Sequence, residues 1–545
     1  MRQPSEMVLG DLVRIRAATS PDLDVLTFEH MSGDGGPDEV RTYADLAANG
    51  NAIAAKLIDL GLSPGDRVAL MMRNHPEFVE TMVGASIAGV VLVPIDPRTR
   101  GEKLAFFLRD ASCRGVVCAS GALASVSDVL DDARTVEWVM VRGTAAEVSE
   151  VAGAGGAPEV TLMSEVLADA DSVPEIPSRL ETDNDPLQIL YTSGTTGDPK
   201  GVMFPNSRFG LYAMLAYLLG YQPTDRPYTG LSLTHGNAQA VTLAPSLTMG
   251  LRAVFSPNFT KSRLWDICRK YGCTTFSLLG GMVTAIYAEP ERPDDADNPV
   301  RMVCSAGMPA AIWEAFEKRF GVEVFEWYGA VEGGLAAKPI GQGPIGSFGK
   351  PVGGLEMLIL DDDDAPCPPG VVGEICSRPS GGKAEVEYFE NPEASQAKVR
   401  GGWLRSGDMG HIDEDGWFFF DYRKGGGLRH NGDFVHPAFV ERVLAEHPDV
   451  TDVYVYGVTA ASGAPGEKDV VAAVVPTDPE SFDAASVFEG CRRSLEPNMV
   501  PTYLQVVEEI PKTASEKPQE RFLLEMFDPD AGNVVVEQPR ARSQR

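Results

Sequence analysis

Between Tyr191 and Gly201 the chain reads Tyr-Thr-Ser-Gly-Thr-Thr-Gly-Asp-Pro-Lys-Gly, a composition suited to holding phosphate. Ser193, Gly194, Thr195, Thr196 and Gly197 can turn backbone N–H groups and hydroxyls onto phosphate oxygens; Thr192 opens the loop and Lys200 adds charge. Strand-like LQIL comes before the loop and helical NSRFGLYAMLAYLLG after it. Two residues separate Gly194 from Gly197, whereas a Walker loop has four between its glycines and then Lys-Ser/Thr, so a P-loop NTPase is disfavoured. The plain alternative is a surface turn, and the joint presence of Gly, Thr and Lys weighs against it.

Further motifs follow in series: LTHGNAQAV (233–241), SAGMPAAIWEAF (305–316), EWYGAVEGG (326–334), GEI (373–375), GGWLRSGDMG (401–410) and PKTASEK (511–517). With TYADLA (42–47), GLSPGDRVALMMRNHPEF (61–78) and AGVVLVPIDPR (88–98), they resemble the adenylate-forming superfamily, which includes acyl-CoA synthetases, non-ribosomal peptide adenylation domains and luciferases. The texture is similar to that of carnitine-type and bile-acid-type CoA ligases, and the resemblance covers nearly the whole chain.

The resemblance implies that a carboxylic acid attacks the α-phosphate of ATP to give an acyl-adenylate, and that the thiol of coenzyme A then takes the acyl group. Negative charge meets negative charge in the first step, so catalysis is mainly positioning and neutralisation. Thr192 to Lys200 would cradle the triphosphate; Glu332, with Thr192, would hold Mg²⁺, a hard cation suited to oxygen ligands. Gly307, Met308, Pro309, Glu326, Trp327 and Tyr328 would surround adenine, Tyr328 offering a ring face, while Asp408 and Arg423 would reach the ribose. His235 would face the substrate carboxylate, and Gly236, Ala238, Gly280, Gly281, Ala306 and Gly334 would leave room for a bulky acyl group. Lys517 would be the adenylation lysine of a small domain that swings about Gly425, with Gly432 lining the pantetheine channel. Read without the family, His235 is a packed neutral side chain, SGD a common turn and Lys517 a surface lysine.

Four positions depart from the pattern. The family's YGxTE is Tyr328-Gly-Ala-Val331-Glu332 here, so a hydroxyl that contacts the α-phosphate is missing. Its TxxGK is Thr513-Ala-Ser-Glu516-Lys517, with a carboxylate where glycine permits close approach; Tyr422 and Gly425 replace the usual hinge residues. Glu516 is expected to repel ATP or neutralise Lys517, since two unit charges at ~4 Å interact by about 4 kcal/mol at an effective dielectric of 20. Thioester formation is then expected to be intact and adenylation from ATP weak or absent, with a separate adenylating enzyme as a partner. Competing readings are an enzyme that loads a carrier protein's phosphopantetheine and an inactive protein that binds an acyl-adenylate or nucleotide.

These residues need a scaffold, and at 545 residues the chain exceeds what one hydrophobic core supports. From Arg41 to about Phe420, apolar runs such as RVALMM (67–72) and VVLVPID (90–96) alternate with amphipathic stretches such as PEFVETMVGASIAG. That pattern predicts an α/β fold with mainly parallel sheets covered by helices. The three glycines of DYRKGGGLRHNGDF mark a hinge. The expected division is a large N-terminal domain over 1–424, a small mobile C-terminal α+β domain over 425–528, and a mobile tail over 529–545.

With 78 acidic against 47 basic residues and a net charge of −31, nucleic acid is an unfavourable partner. No run reaches the ~20 apolar residues of a membrane span. The eight cysteines lack metal spacing and the start lacks an apolar signal core, so a cytoplasmic setting is expected. The acyl group and the oligomeric state are open from the sequence.

Overall fold

The structure, a computed structural model, describes residues 2–31, 36–152, 159–192, 199–424, 428–430, 433–435, 437–461, 468–495, 499–513 and 516–537. A seven-stranded sheet runs in the order Glu159–Leu162, Trp138–Arg142, Gly115–Ala119, Arg67–Met71, Val91–Pro94, Pro186–Thr192, Lys200–Pro205. Its neighbours are parallel except the last pair. Runs such as RVALM and GVVCA are apolar throughout because a parallel sheet is covered on both faces. Helix Pro76–Ala88 begins on proline, ends on the left-handed Gly89 and is buried at every residue but Glu77. Helix Tyr43–Asp59 starts on a Thr42–Asp45 capping box.

The second sheet has a parallel half, Asp24–Phe28, Ala253–Phe255, Pro227–Thr229, Thr275–Leu279, Met302–Ala306 and Glu323–Gly329. An antiparallel half continues it through Leu335–Lys338, Ser347–Pro351, Phe418–Arg423, Trp403–Ile412, Gly373–Pro379 and Leu355–Leu360. One core spans both sheets, joining Leu70 and Leu92 of the first to Phe255, Phe276 and Val303 of the second.

A four-stranded sheet of Val450–Thr459, Lys468–Pro476, Tyr503–Val506 and Val534–Val536 forms the small domain with helices Pro437–Ala445 and Ala484–Ser494. Its core is its own, built from Val440, Leu444, Val470, Val474, Val487, Phe488 and Leu504. The α/β large domain and the small C-terminal domain are thus both present.

Lys200–Pro205 is a strand that pairs antiparallel with Pro186–Thr192, and the expected helix, Asn206–Leu218, follows it. The SGD triplet is no turn: Asp408 lies within strand Trp403–Ile412 opposite Arg423, with Gly407 at φ 83°. Within the segment after Asp528, Val534–Val536 pairs with Tyr503–Gln505. Ser193, Gly194, Thr195, Thr196, Gly197, the hinge Gly425 and Gly432 lie outside the described residues.

Candidate active site

Strand Glu323–Gly329 sends alternate side chains to opposite faces. On one face Glu326 is buried and accepts the backbone N–H groups of Gly307 (2.5 Å) and Met308 (3.2 Å). Burial pushes its carboxyl up to about 7, against the pull of these donors, Ser305 and Lys338. Glu326 therefore braces the loop that runs through Gly307 to Pro309. Gly307 has φ 99°, and a Cβ on Gly280 would stand 2.6 Å from the Gly307 carbonyl oxygen, so the loop needs glycine at both places.

Tyr328, on the same face, donates from its hydroxyl to Asp408 Oδ2 (2.6 Å) and stacks on Phe348 with 4.6 Å between centroids. Arg423 Nε lies 3.3 Å from Asp408 Oδ1. Trp327 faces the other way, packing beside a cluster that contains Phe325 and Ala337, so its ring is not part of this group. Gly334, expected beside the acyl group, has φ 81° and neighbours Ser377 and Tyr328.

Glu332 follows Val331 on the turn after this strand. Tyr388 donates its hydroxyl to Glu332 Oε1 (3.1 Å), and Lys200 Nζ lies 5.7 Å from the centre of the Tyr388 ring. Thr192 and Lys200 face each other across the hairpin, the Thr192 hydroxyl 3.4 Å from the Lys200 carbonyl. The carboxylate of Glu332 thus has one oxygen oriented by a phenol, with a lysine nearby. Among the described residues no group of three or more His, Cys, Asp or Glu converges. One carboxylate is the donor set that suits Mg²⁺ carried on a nucleotide's phosphates, since that ion keeps most of its ligands from phosphate and water.

On the acyl side, His235 Nδ1 accepts the Asn237 N–H (3.2 Å), which leaves Nε2 as the protonated nitrogen. Burial, then the charge of Lys517, lowers its pKa to about 4, so the ring is neutral at pH 7. Ala238–Leu243 is a π-helix, a conformation frequent at functional sites. A Cβ on Gly236 would have Val331 Cγ2 at 3.7 Å, the Tyr212 hydroxyl at 3.9 Å and Leu190 Cδ1 at 4.0 Å. Arg208, from the helix that carries Tyr212, donates to the Val331 carbonyl.

Lys517 arrives from the small domain on a tight turn in which Thr513 N donates to the Lys517 carbonyl (2.8 Å) and Lys517 N to Thr513 Oγ1 (3.1 Å). The Lys517 side chain is exposed, and the charges that act on it are those of Arg423, Asp408 and Glu332 of the large domain. Desolvation and then Arg423 lower its pKa, while Asp408 and Glu332 act in the opposite sense. Glu516 sits at φ 60°, the left-handed region where the family has glycine. Burial raises the pKa of its carboxyl, and the cations that act on it in the opposite sense are Lys512 and Arg98. Lys512 is itself paired with Asp452 (2.5 Å). The Glu516 carbonyl lies 3.5 Å from the Cβ position of Gly281, which fixes that glycine at the contact between domains.

The described residues therefore gather Glu332, Asp408, Arg423, Tyr328, His235 and Lys517 around one place. Sequence reasoning did not single out Tyr388, Tyr212 and Arg208, which carry no local signal, nor Asn237, which stands within LTHGNAQAV but was given no role.

Residues 13–382 match the AMP-binding enzyme family and residues 440–517 match the AMP-binding enzyme C-terminal domain. The chain belongs to the AMP-binding enzyme family. Among relatives in that family, the medium/long-chain-fatty-acid–CoA ligase FadD17 of Mycobacterium marinum is 32% identical over 495 residues, 89% of this chain and 92% of that protein. The crotonobetaine/carnitine–CoA ligase of Salmonella typhi is 29% identical over 485 residues, covering 87% and 91%. Among solved structures, the fold is similar to that of the anthranilate CoA ligase AuaEII in complex with anthranoyl-AMP, with TM-score 0.80, 24% identity and coverage of 95% and 96%. A benzoate CoA ligase from Burkholderia xenovorans LB400 gives TM-score 0.79 at 24% identity, covering 95% and 99%. The chain is an enzyme of the acid–thiol ligase class, AMP-forming. No helix among the described residues is long and apolar enough to cross a membrane.

Proposed function

We propose that this enzyme joins a carboxylic acid to coenzyme A in two steps at one site. The acid's carboxylate oxygen attacks the α-phosphorus of ATP and expels pyrophosphate; the CoA sulfur then attacks the acyl carbonyl carbon of the adenylate, loses its proton and expels AMP. The observation that carries this reading is the approach of the Glu516–Lys517 segment of the small domain to Gly281 of the large one, with the charge of Lys517 acting on the side where Glu332, Asp408 and Arg423 lie.

In the first step Lys517 offsets the negative charge gathered between carboxylate and phosphate. Thr192, Lys200 and the intervening loop hold the triphosphate, Asp408 and Arg423 hold the ribose, and the Glu326-braced loop with Tyr328 receives adenine. Glu332, with Tyr388 orienting it, and Thr192 would hold Mg²⁺, which supplies charge neutralisation on the phosphates. Neutral His235 offers its Nε2–H to the acid. For the second step the small domain turns about Gly425, removing Lys517 and opening the CoA path past Gly432.

Both halves run from ATP in this reading, the first slowed by Val331. A second reading, thioester formation from a ready-made adenylate supplied by another enzyme, draws support from Val331 and from the left-handed Glu516. Purified protein given an acid panel, ATP and Mg²⁺ separates them. Acid-dependent ATP–pyrophosphate exchange supports the first reading; exchange at background with thioester from supplied adenylate and CoA supports the second; neither activity rejects both. Supplying pantetheinylated carrier protein in place of CoA tests the acceptor.

A further inference from the structure

We infer that Glu374 and Lys424 are positioning residues for the nucleotide: together they clasp Gly407, and so hold Asp408 and Arg423 in the geometry that receives the ribose. Resting on the ribose reading above, this gives the GEI motif (373–375) a role.

Strand Trp403–Ile412 is irregular where it passes the ribose side. Against strand Gly373–Pro379, Arg405 pairs with Cys376 and Met409 with Glu374, so the single residue Ile375 faces three: Ser406, Gly407 and Asp408. Such a bulge re-aims a side chain and takes backbone groups out of the ladder. Each freed group then has a specific partner. Ser406 Oγ accepts the Asp408 N–H (2.9 Å) and donates to the Ile375 carbonyl (2.6 Å). The Gly407 N–H donates to Glu374 Oε1 (2.9 Å), and the Gly407 carbonyl accepts the Lys424 N–H (2.6 Å). The Lys424 ammonium returns to the same carboxylate, 3.5 Å from Glu374 Oε2, and pairs with Asp362 at 2.9 Å. Gly407 is thus gripped on one side by a side chain and on the other by the residue that follows Arg423. Its neighbour Asp408 stands opposite Arg423 in the sheet.

Glu374 is buried and Lys424 is exposed. The plain alternative is a carboxylate that only compensates the buried Arg405, whose Nη1 is 3.5 Å from Glu374 Oε2. Arg405 also pairs with Asp364, however, and the closest contact of the Glu374 carboxylate is the Gly407 N–H. A charge-assisted bond to the backbone beside a ligand-holding carboxylate fixes where that carboxylate points. Small displacements of such a group weaken its grip on the ligand severely.

The test compares AMP with 2′,3′-dideoxy-AMP, which lacks both ribose hydroxyls, by calorimetric titration of the full chain. Wild type is expected to prefer AMP on the order of 100-fold, since a charged carboxylate bonds the hydroxyls. The preference should fall about tenfold in Glu374→Ala and about threefold in Glu374→Gln, which keeps an acceptor for Gly407 and loses the charge that draws Lys424. Lys424→Met should lower it about threefold and Lys424→Arg should keep it, with dideoxy-AMP affinity within about twofold of wild type throughout. A preference that stays at the wild-type value in the Glu374 variants and Lys424→Met overturns the inference. Equal loss for both nucleotides does so too, because it marks a general disruption of the fold. If Glu374→Ala does not fold, Glu374→Gln and the variants at the exposed Lys424 decide. No AMP binding by wild type, or a wild-type preference near one, overturns the ribose reading itself, and the inference with it.

Discussion

Replacing Val331 by Thr should restore the hydroxyl that the family places beside the α-phosphate. The two side chains share a shape, and Arg208 already fixes the backbone by donating to the Val331 carbonyl, so the new hydroxyl enters a preset position. Val331 Cγ2 has 3.7 Å to the Cβ position of Gly236, which leaves room for the exchange. A hydrogen bond to a charged oxygen contributes about 1.5 to 3 kcal/mol. If realised in the transition state it raises the adenylation rate about 10- to 100-fold. The swap gives up an apolar contact, which costs roughly 1 kcal/mol of stability. Acid-dependent ATP–pyrophosphate exchange reads the gain, and thioester formation from supplied adenylate serves as the internal control that should stay level. Exchange that is unchanged or slower in folded V331T would refute the idea that the missing hydroxyl handicaps the first step.

Gly280→Ala sets a methyl 2.6 Å from the Gly307 carbonyl oxygen, so it should push the adenine-side loop off its Glu326 brace. A higher KM for ATP and a loss of about 1 to 3 kcal/mol in denaturant unfolding are expected, and unaltered values in both would show that the loop yields freely. Glu516→Gln should leave exchange within about threefold, because the carboxylate works against Lys512 and Arg98; a tenfold gain would mean that it opposes ATP after all. His235 should titrate near 4 by NMR. Its folded pKa lies below the ordinary 6.5, so its contribution to stability is present above about 6.5 and lost as pH falls toward 4. A midpoint near 6.5 would place the ring in open water.

Local physics explains what the sequence disclosed. The strands at 67 to 71 and 91 to 94, the helix between them and the small domain's helices were legible because burial on both faces or on one stripe leaves a periodic record. The strand Lys200–Pro205 was hidden by the glycine-rich loop before it, which masks where extended structure resumes. Val534–Val536 is too short to show a period and owes its conformation to pairing with Tyr503–Gln505. In the site, Lys517, Glu332 and Asp408 were expected because the motifs that hold them resemble the family's. The Tyr388–Glu332 and Tyr212–Gly236 approaches join residues 56 and 24 positions apart, and only the folded chain brings them together. The left-handed backbone of Glu516 was likewise not legible from its place beside Lys517 in the sequence.

Lys517→Ala tests most directly whether the lysine that the small domain brings among Glu332, Asp408 and Arg423 drives the first half-reaction. Acid-dependent ATP–pyrophosphate exchange should fall about 100- to 1000-fold, while supplied acyl-adenylate and CoA still give thioester at nearly the wild-type rate. Exchange that persists near wild type, or loss of both activities together in a folded variant, would contradict the assignment.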